Sequence, residues 1–136
     1  MSDKYKNKKV LVVDDTAFMR NNLINILDEL GFGIGFIDQA VNGKEALEFL
    51  AKSNSEKAQP YDLIFCDWNM PIMTGIELLK AVRRSEQYFK TIPFILVTTD
   101  SEKDKVLEAV QYKVSNYIIK PVEKDDIEHC LNSIGF

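Results

Sequence analysis

Four short apolar runs punctuate the chain, and each ends in a polar residue able to do chemistry. Val10-Leu11-Val12-Val13 ends at Asp14 and Asp15, and Leu63-Ile64-Phe65-Cys66 ends at Asp67. Phe94-Ile95-Leu96-Val97 ends at Thr98, and Tyr117-Ile118-Ile119 ends at Lys120-Pro121. Continuous runs of this length, rich in β-branched residues, read as strands buried on both faces, the habit of a parallel sheet. Between them the period lengthens. Phe18, Leu23, Ile24, Ile26, Leu27 and Leu30 form a broad 3.6-residue stripe that Thr16 can cap and Gly31 can stop. Phe36-Ile37 opens a less apolar strand reaching about Val41. Asn42-Gly43 then turns into a helix holding Ala46, Leu47, Phe49 and Leu50. The polar stretch 52–60, KSNSEKAQP, reads as a surface loop. Later helical patterns carry Ile76, Leu78, Leu79 and Val82 up to Arg83 and Arg84, then about Lys103 to Val110, then about Asp125 to Ser133. Strict alternation of strand and helix predicts an α/β fold. It is a doubly wound, five-stranded parallel sheet with helices on both faces.

At 136 residues the chain fits a single domain, expected to span 1–136. Hydrophobic content of 46% and charged content of 28% are globular values. A net charge of −4 without a basic stripe weighs against nucleic acid as a partner. Lys4, Lys6, Lys8 and Lys9 read as a solvated lead-in to the first strand. No apolar stretch approaches the ~20 residues of a membrane span. The first apolar run meets two aspartates too soon for a signal peptide. Two cysteines are too few for a disulfide framework, so Cys66 and Cys130 are expected reduced, in or near the core of a cytoplasmic protein.

Chemistry follows from the topology. In an open parallel sheet the site lies outside the carboxyl ends of the strands. Asp14, Asp15 and Asp67, with Thr98 and Lys120, are therefore expected at one edge. Taken singly, each has an ordinary role as a turn residue, a cap, a strand residue or a surface lysine. Together they make an acidic pocket with a hydroxyl and an ammonium on its rim. Crowded carboxylates repel one another unless a cation joins them. Hard oxygen donors suit Mg²⁺; zinc is poorly served, because the one histidine, His129, lies in the last helix. A carboxylate can also attack phosphorus, and the equatorial oxygens of the transferred group then need neutralising. An aspartate, Mg²⁺, Lys120 and Thr98 form that set.

The motifs V-V-D-D-T, D-W-N-M-P-I-M-T-G, V-T-T-D and Y-I-I-K-P, in this order, resemble a receiver domain of two-component response regulators. The likeness is strongest to stand-alone chemotaxis regulators of the CheY type, and it implies a flavodoxin-like, CheY-like fold. It implies that Asp67 is the phosphoacceptor of a histidine kinase. Asp14, Asp15, Asp67 and the main-chain carbonyl of Asn69 would surround Mg²⁺. Lys120 would bridge to the phosphate, Thr98 would hydrogen-bond it, and Tyr117 would turn inward behind Thr98. Asn69 and Asp100 would tune loss of the phosphoryl group. Lys103, Val106, Tyr117 and Ile119 would form an output face toward a protein such as a flagellar motor switch component, with the chain acting as a monomer. A cis Lys120–Pro121 bond is implied as well. Three positions depart from the common pattern: Thr74 where an aspartate usually precedes Gly75, Thr99 where alanine is frequent, and Lys113-Val114 in place of Gly-Ala.

Other readings use the same residues differently. A single-domain phosphorelay intermediate would share the site and differ only in partner. A Mg²⁺-dependent phosphatase with an aspartate nucleophile usually carries a second acid two residues on, where this chain has Asn69. A flavin module would need a Ser/Thr/Gly-rich phosphate loop after the first strand, where this chain has two acids.

Overall fold

Three of the four apolar runs become the inner strands of one parallel sheet: β1 (Val10–Val13), β3 (Leu63–Asp67) and β4 (Phe94–Thr98), each buried along its whole length. The fourth run, expected buried on both faces, instead lies in β5 (Asn116–Ile119) and takes one edge, as the less apolar β2 (Ile37–Ala40) takes the other, and burial at an edge is partial. Strand order is β2-β1-β3-β4-β5. The computed structural model describes residues 3–99 and 103–136, with the side chain of Lys103 excepted.

Alternate residues of each strand feed two cores. Leu11, Val13, Ile64, Cys66, Phe94 and Leu96 pack under α2 (Gly43–Lys52), α3 (Gly75–Arg84) and α4 (Lys103–Gln111). Val10, Val12, Leu63, Phe65, Ile95 and Val97 pack under α1 (Ala17–Glu29) and α5 (Lys124–Ser133). The chain steps outward from β1 to β2 and then back past β1 to β3. The strand order thus reverses between β1 and β3, the place where such sheets hold ligands. Cys66 and Cys130 are both free and buried, and among the described residues no helix is long and apolar enough to cross a membrane.

Local chemistry sets the element ends. The Asn42 side chain accepts the Glu45 N–H and starts α2. Thr74 and Glu77 form a reciprocal capping box at α3, so the threonine that departs from the family pattern acts as a helix cap. Gly31, at φ 102, takes the left-handed turn that ends α1.

Four expectations need correcting. Thr16 stands at the N-cap of α1, but its side chain does not cap the helix, because its hydroxyl and N–H both go to Asp14 Oδ1, at 3.0 and 2.9 Å. A 3₁₀ turn at Ile34–Phe36 uses up Phe36, whose N–H bonds the Gly33 carbonyl, so β2 starts at Ile37 and ends before Val41. In the polar loop Ser53 is buried. Its hydroxyl donates to the Leu50 carbonyl and meets the Tyr88 hydroxyl at 2.6 Å, a contact supplied by a second 3₁₀ turn at Tyr88–Thr91. Helix α5 begins at Lys124, one residue before Asp125, because the Asp126 side chain accepts the Glu123 N–H at 3.0 Å.

Candidate functional site

The ends of β1 and β3 lie side by side, with Val13 opposite Cys66, and this register brings the loop after β1 against Asp67. Asp14, Asp15 and Asp67 each offer a carboxylate oxygen, and these atoms all lie within 4.8 Å of one another. Asp14 and Asp67 are buried, at 7% and 6% exposure, while Asp15 faces solvent. Lys120, at the end of β5, reaches across β4 to both buried acids. Its Nζ donates to Asp67 Oδ1 at 3.2 Å and to Asp14 Oδ2 at 3.4 Å. Two of the three carboxylates thus share one ammonium. Burial, and then the Asp14 charge, push the Asp67 carboxyl above its ordinary pKa, with Lys120 opposing. The neighbouring Cys66 thiol is pushed up as well, by burial and then by Asp67, which keeps it an inert core residue.

Such a set of hard oxygens with excess negative charge fits Mg²⁺, which takes one or two carboxylates and keeps several waters. Asn69, two residues past Asp67, is exposed on the loop beside the site. Thr98 ends β4 at 2% exposure, and its carbonyl accepts the Lys120 N–H at 2.7 Å. Leu96 pairs with Tyr117 and Thr98 with Ile119, so Thr98 and Tyr117 share one face of the sheet on adjacent strands. Tyr117 is half-buried against the core beneath α4. The Lys120–Pro121 bond is cis, as the resemblance implies.

Asp100 lies outside the described residues, as does the side chain of Lys103, whose backbone opens α4. Val106 is half-buried, and the apolar side chains that α4 exposes are Leu107 and Val110, at 55% and 60%. Ile119 is exposed at the end of β5.

Two positioning residues and one strained residue escaped the sequence reading. Arg20 Nη1 donates to the Asp14 carbonyl at 2.6 Å while its Nε holds Gln39, pinning the acidic turn to α1 and β2. A basic residue near a helix start opposes the dipole, and that was the available signal. Gly75 has no room for a side chain: a Cβ there would collide with the Asp67 carbonyl and the Trp68 Cα, and its N–H bonds the Trp68 carbonyl at 2.9 Å. It lets the start of α3 press against the strand that carries Asp67. Ile72, in the same loop, is 75% exposed at φ 71, a left-handed conformation that is costly for a β-branched residue.

Comparison with known proteins places these residues in a family context. Residues 10–132 match the model of the response regulator receiver domain. The chain is 40% identical over 131 residues to the chemotaxis protein CheY of Pseudomonas aeruginosa, covering 93% of this chain and 98% of that one. It is 36% identical over 129 residues to chemotaxis protein CheY-3 of Vibrio cholerae, covering 95% and 92%. Among solved structures, Vibrio cholerae CheY4 aligns with TM-score 0.76 at 33% identity, covering 93% of this chain and 98% of that one. The CheX–CheY complex of Borrelia burgdorferi, containing BeF₃ and Mg²⁺, aligns with TM-score 0.84 at 24% identity, covering 98% and 93%. The latter likeness speaks to the fold.

Proposed function

The chain belongs to the response regulator receiver domain family, and from that premise we propose that Asp67 accepts a phosphoryl group from a histidine kinase. It is a phosphorylation-activated response regulator of the chemotaxis type. The observation that carries the assignment of Asp67 is its setting. It is a buried carboxylate at the end of the central strand, beside two further acids and bonded to a lysine ammonium. An Asp67 oxygen forms the new O–P bond as the donor's bond to phosphorus breaks, leaving an acyl phosphate on the chain. Lys120 already reaches Asp67 and is placed to neutralise a phosphoryl oxygen; Thr98, at the end of the adjacent strand, donates its hydroxyl to another. Asp14, Asp15, Asp67 and the Asn69 carbonyl would hold Mg²⁺, which when bound supplies the remaining neutralisation.

Output runs through Tyr117, Ile119 and α4, with Lys103, Val106, Leu107 and Val110 as its residues there. The partner is a flagellar motor switch component, reached by a cytoplasmic, monomeric single domain. A phosphorelay transfer protein is the alternative partner, since it would use the same acyl phosphate. Asn69, exposed where a hydrolase of the aspartate-nucleophile class carries its general acid, favours a phosphoacceptor over a turnover enzyme. Asn69 and Asp100 set how long the acyl phosphate survives. Incubation with acetyl phosphate and Mg²⁺ should add one phosphoryl group, read by intact mass, and Asp67→Asn should add none. Labelling of Asp67→Asn at the wild-type rate would refute the assignment.

A further inference from the structure

At the end of the sheet opposite the acidic site, a groove of about 460 Å³ opens between the end of α3, the segment entering β4 and the turn joining α4 to β5. Arg84, Lys90 and Lys113 stand on its three walls, and no carboxylate lines it. That is unexpected in a chain whose acids outnumber its lysines and arginines by 21 to 17. Among the described residues, none of these three cations is paired with an acid. Like charges gathered around one concavity repel, and the arrangement draws in an anion.

Two features show that the groove is built rather than accidental. Arg83 spends its guanidinium on main chain. Nη1 donates to the carbonyls of Lys90 and Ile92 at 3.0 and 2.8 Å, and Nε and Nη2 donate to the carbonyl of Lys113 at 3.1 and 3.0 Å. One guanidinium therefore fixes the backbone of both lysine-bearing walls. Lys113 itself sits at φ 60, in the left-handed turn after α4 where the Val114 N–H bonds the Ala109 carbonyl. Glycine adopts that turn without steric penalty. A lysine held there carries strain and places an ammonium on the groove, and residues held in such conformations cluster at ligand sites.

We propose that this groove binds a small phosphate-bearing anion of nucleotide size. Its volume lies in the range of small-molecule sites, about 300–1,000 Å³. The Arg84 guanidinium offers a fork matched to phosphate, and the two lysines add point charges. Tyr112, whose ring centre lies 5.7 Å from the Arg84 guanidinium carbon and 4.8 Å from Lys80 Nζ, gives an aromatic wall for a base, and Thr91 and Gln111 give neutral polar groups. Three cations converging on one concavity favour a compact ligand with concentrated charge over an extended acidic peptide. The site is separate from Asp67 and does not depend on the reading of that residue.

The full-length protein, ¹⁵N-labelled, should be titrated with ADP and, separately, with inorganic pyrophosphate at low salt. Saturable shifts are expected at the amides of Thr91, Tyr112 and Ser115, larger with ADP than with pyrophosphate. Lys113→Gly keeps the turn while removing the charge, so it is the decisive variant. It and Arg84→Gln should each weaken ADP binding about fivefold or more by calorimetry, whereas Lys57→Gln, in the exposed loop, should bind as wild type does. The proposal is overturned if neither probe moves these amides at millimolar concentration, or if Lys113→Gly and Arg84→Gln bind ADP unchanged. It is equally overturned if an oligo-glutamate peptide or a single-stranded RNA oligomer binds the groove while ADP does not.

Discussion

Replacing Asp67 with asparagine should make the metal-free protein more stable, although it removes a buried residue's ion pair. The three carboxylates lie within 4.8 Å of one another. At an effective dielectric constant near 20, a pair at that separation repels by about 3.5 kcal/mol. Asp67→Asn abolishes two such pairs. It also abolishes the attraction to Lys120 at 3.2 Å, worth about 5 kcal/mol on the same scale. Repulsion wins by about 2 kcal/mol. Solvent screening at exposed Asp15 reduces this, and release of the desolvation of Asp67 adds to it. The expected gain is about 1–2 kcal/mol, or about 3–8 °C in Tm for a domain of this size. The pH dependence follows from the direction of the Asp67 shift. The folded carboxyl holds its proton above the ordinary value of 3.8. Wild type therefore loses stability as pH rises from 3.8 through the folded value, and the advantage of Asp67→Asn is present above that window and fades below it. Mg²⁺ at ten times its dissociation constant should add about 1.4 kcal/mol to wild type and much less to the variant. Urea denaturation followed by far-UV circular dichroism and by Trp68 fluorescence, at pH 7.5 and pH 4 with and without Mg²⁺, reads all of these. A loss of stability on Asp67→Asn without metal, or a gain that persists unchanged at pH 4, would refute the argument from carboxylate crowding.

Gly75→Ala must push its Cβ into the Asp67 carbonyl and the Trp68 backbone; a loss of about 1–3 kcal/mol and slower phosphoryl uptake are expected, read by urea denaturation and by mass. Ile72→Gly relieves a left-handed backbone at an exposed position, and a gain of about 1 kcal/mol in the same denaturation assay is expected. Thr98→Ala should still accept the phosphoryl group on Asp67 but bind its partner no more tightly once labelled, measured by titration of labelled and unlabelled protein against that partner.

How much of this was legible in the sequence depends on the range of the interaction involved. The strands were readable because their burial on both faces leaves continuous apolar runs, and the acidic pocket followed because topology alone brings strand ends together. Helix phase was harder. Val106, Leu107 and Val110 are all apolar, and only packing against the sheet decides that Val106 is half-buried while the other two face solvent. Phe36 looked like a strand residue until the bond to Gly33 took it into a turn. Arg20 and Arg83 escaped for one reason: both donate to main-chain carbonyls outside their own helices, and a carbonyl carries no sequence signature. Arg83 stands at the end of its own helix, where a cation suits the dipole, whereas its guanidinium serves the segments at Lys90–Ile92 and Lys113. Gly75 carries no such signature either, because the reason for its missing side chain is a close approach across the β3–α3 turn.

The same distinction explains how a change at Asp67 can reach α4. Lys120 touches Asp67 through its ammonium, and through its backbone N–H it touches the Thr98 carbonyl at 2.7 Å. A phosphoryl group drawing on the Lys120 ammonium and the Thr98 hydroxyl would therefore act on two residues already joined across β4 and β5. Tyr117 lies on the same face, one step along β5, packed against the core that α4 covers. Close-packed clusters of this kind shift between discrete arrangements rather than deform smoothly. The signal would then need no motion of the sheet, only an exchange of which side chain fills the space behind Thr98. Couplings of this type are worth about 1–3 kcal/mol, so on the proposed function the unphosphorylated chain would already visit the active arrangement, and phosphorylation would change how often.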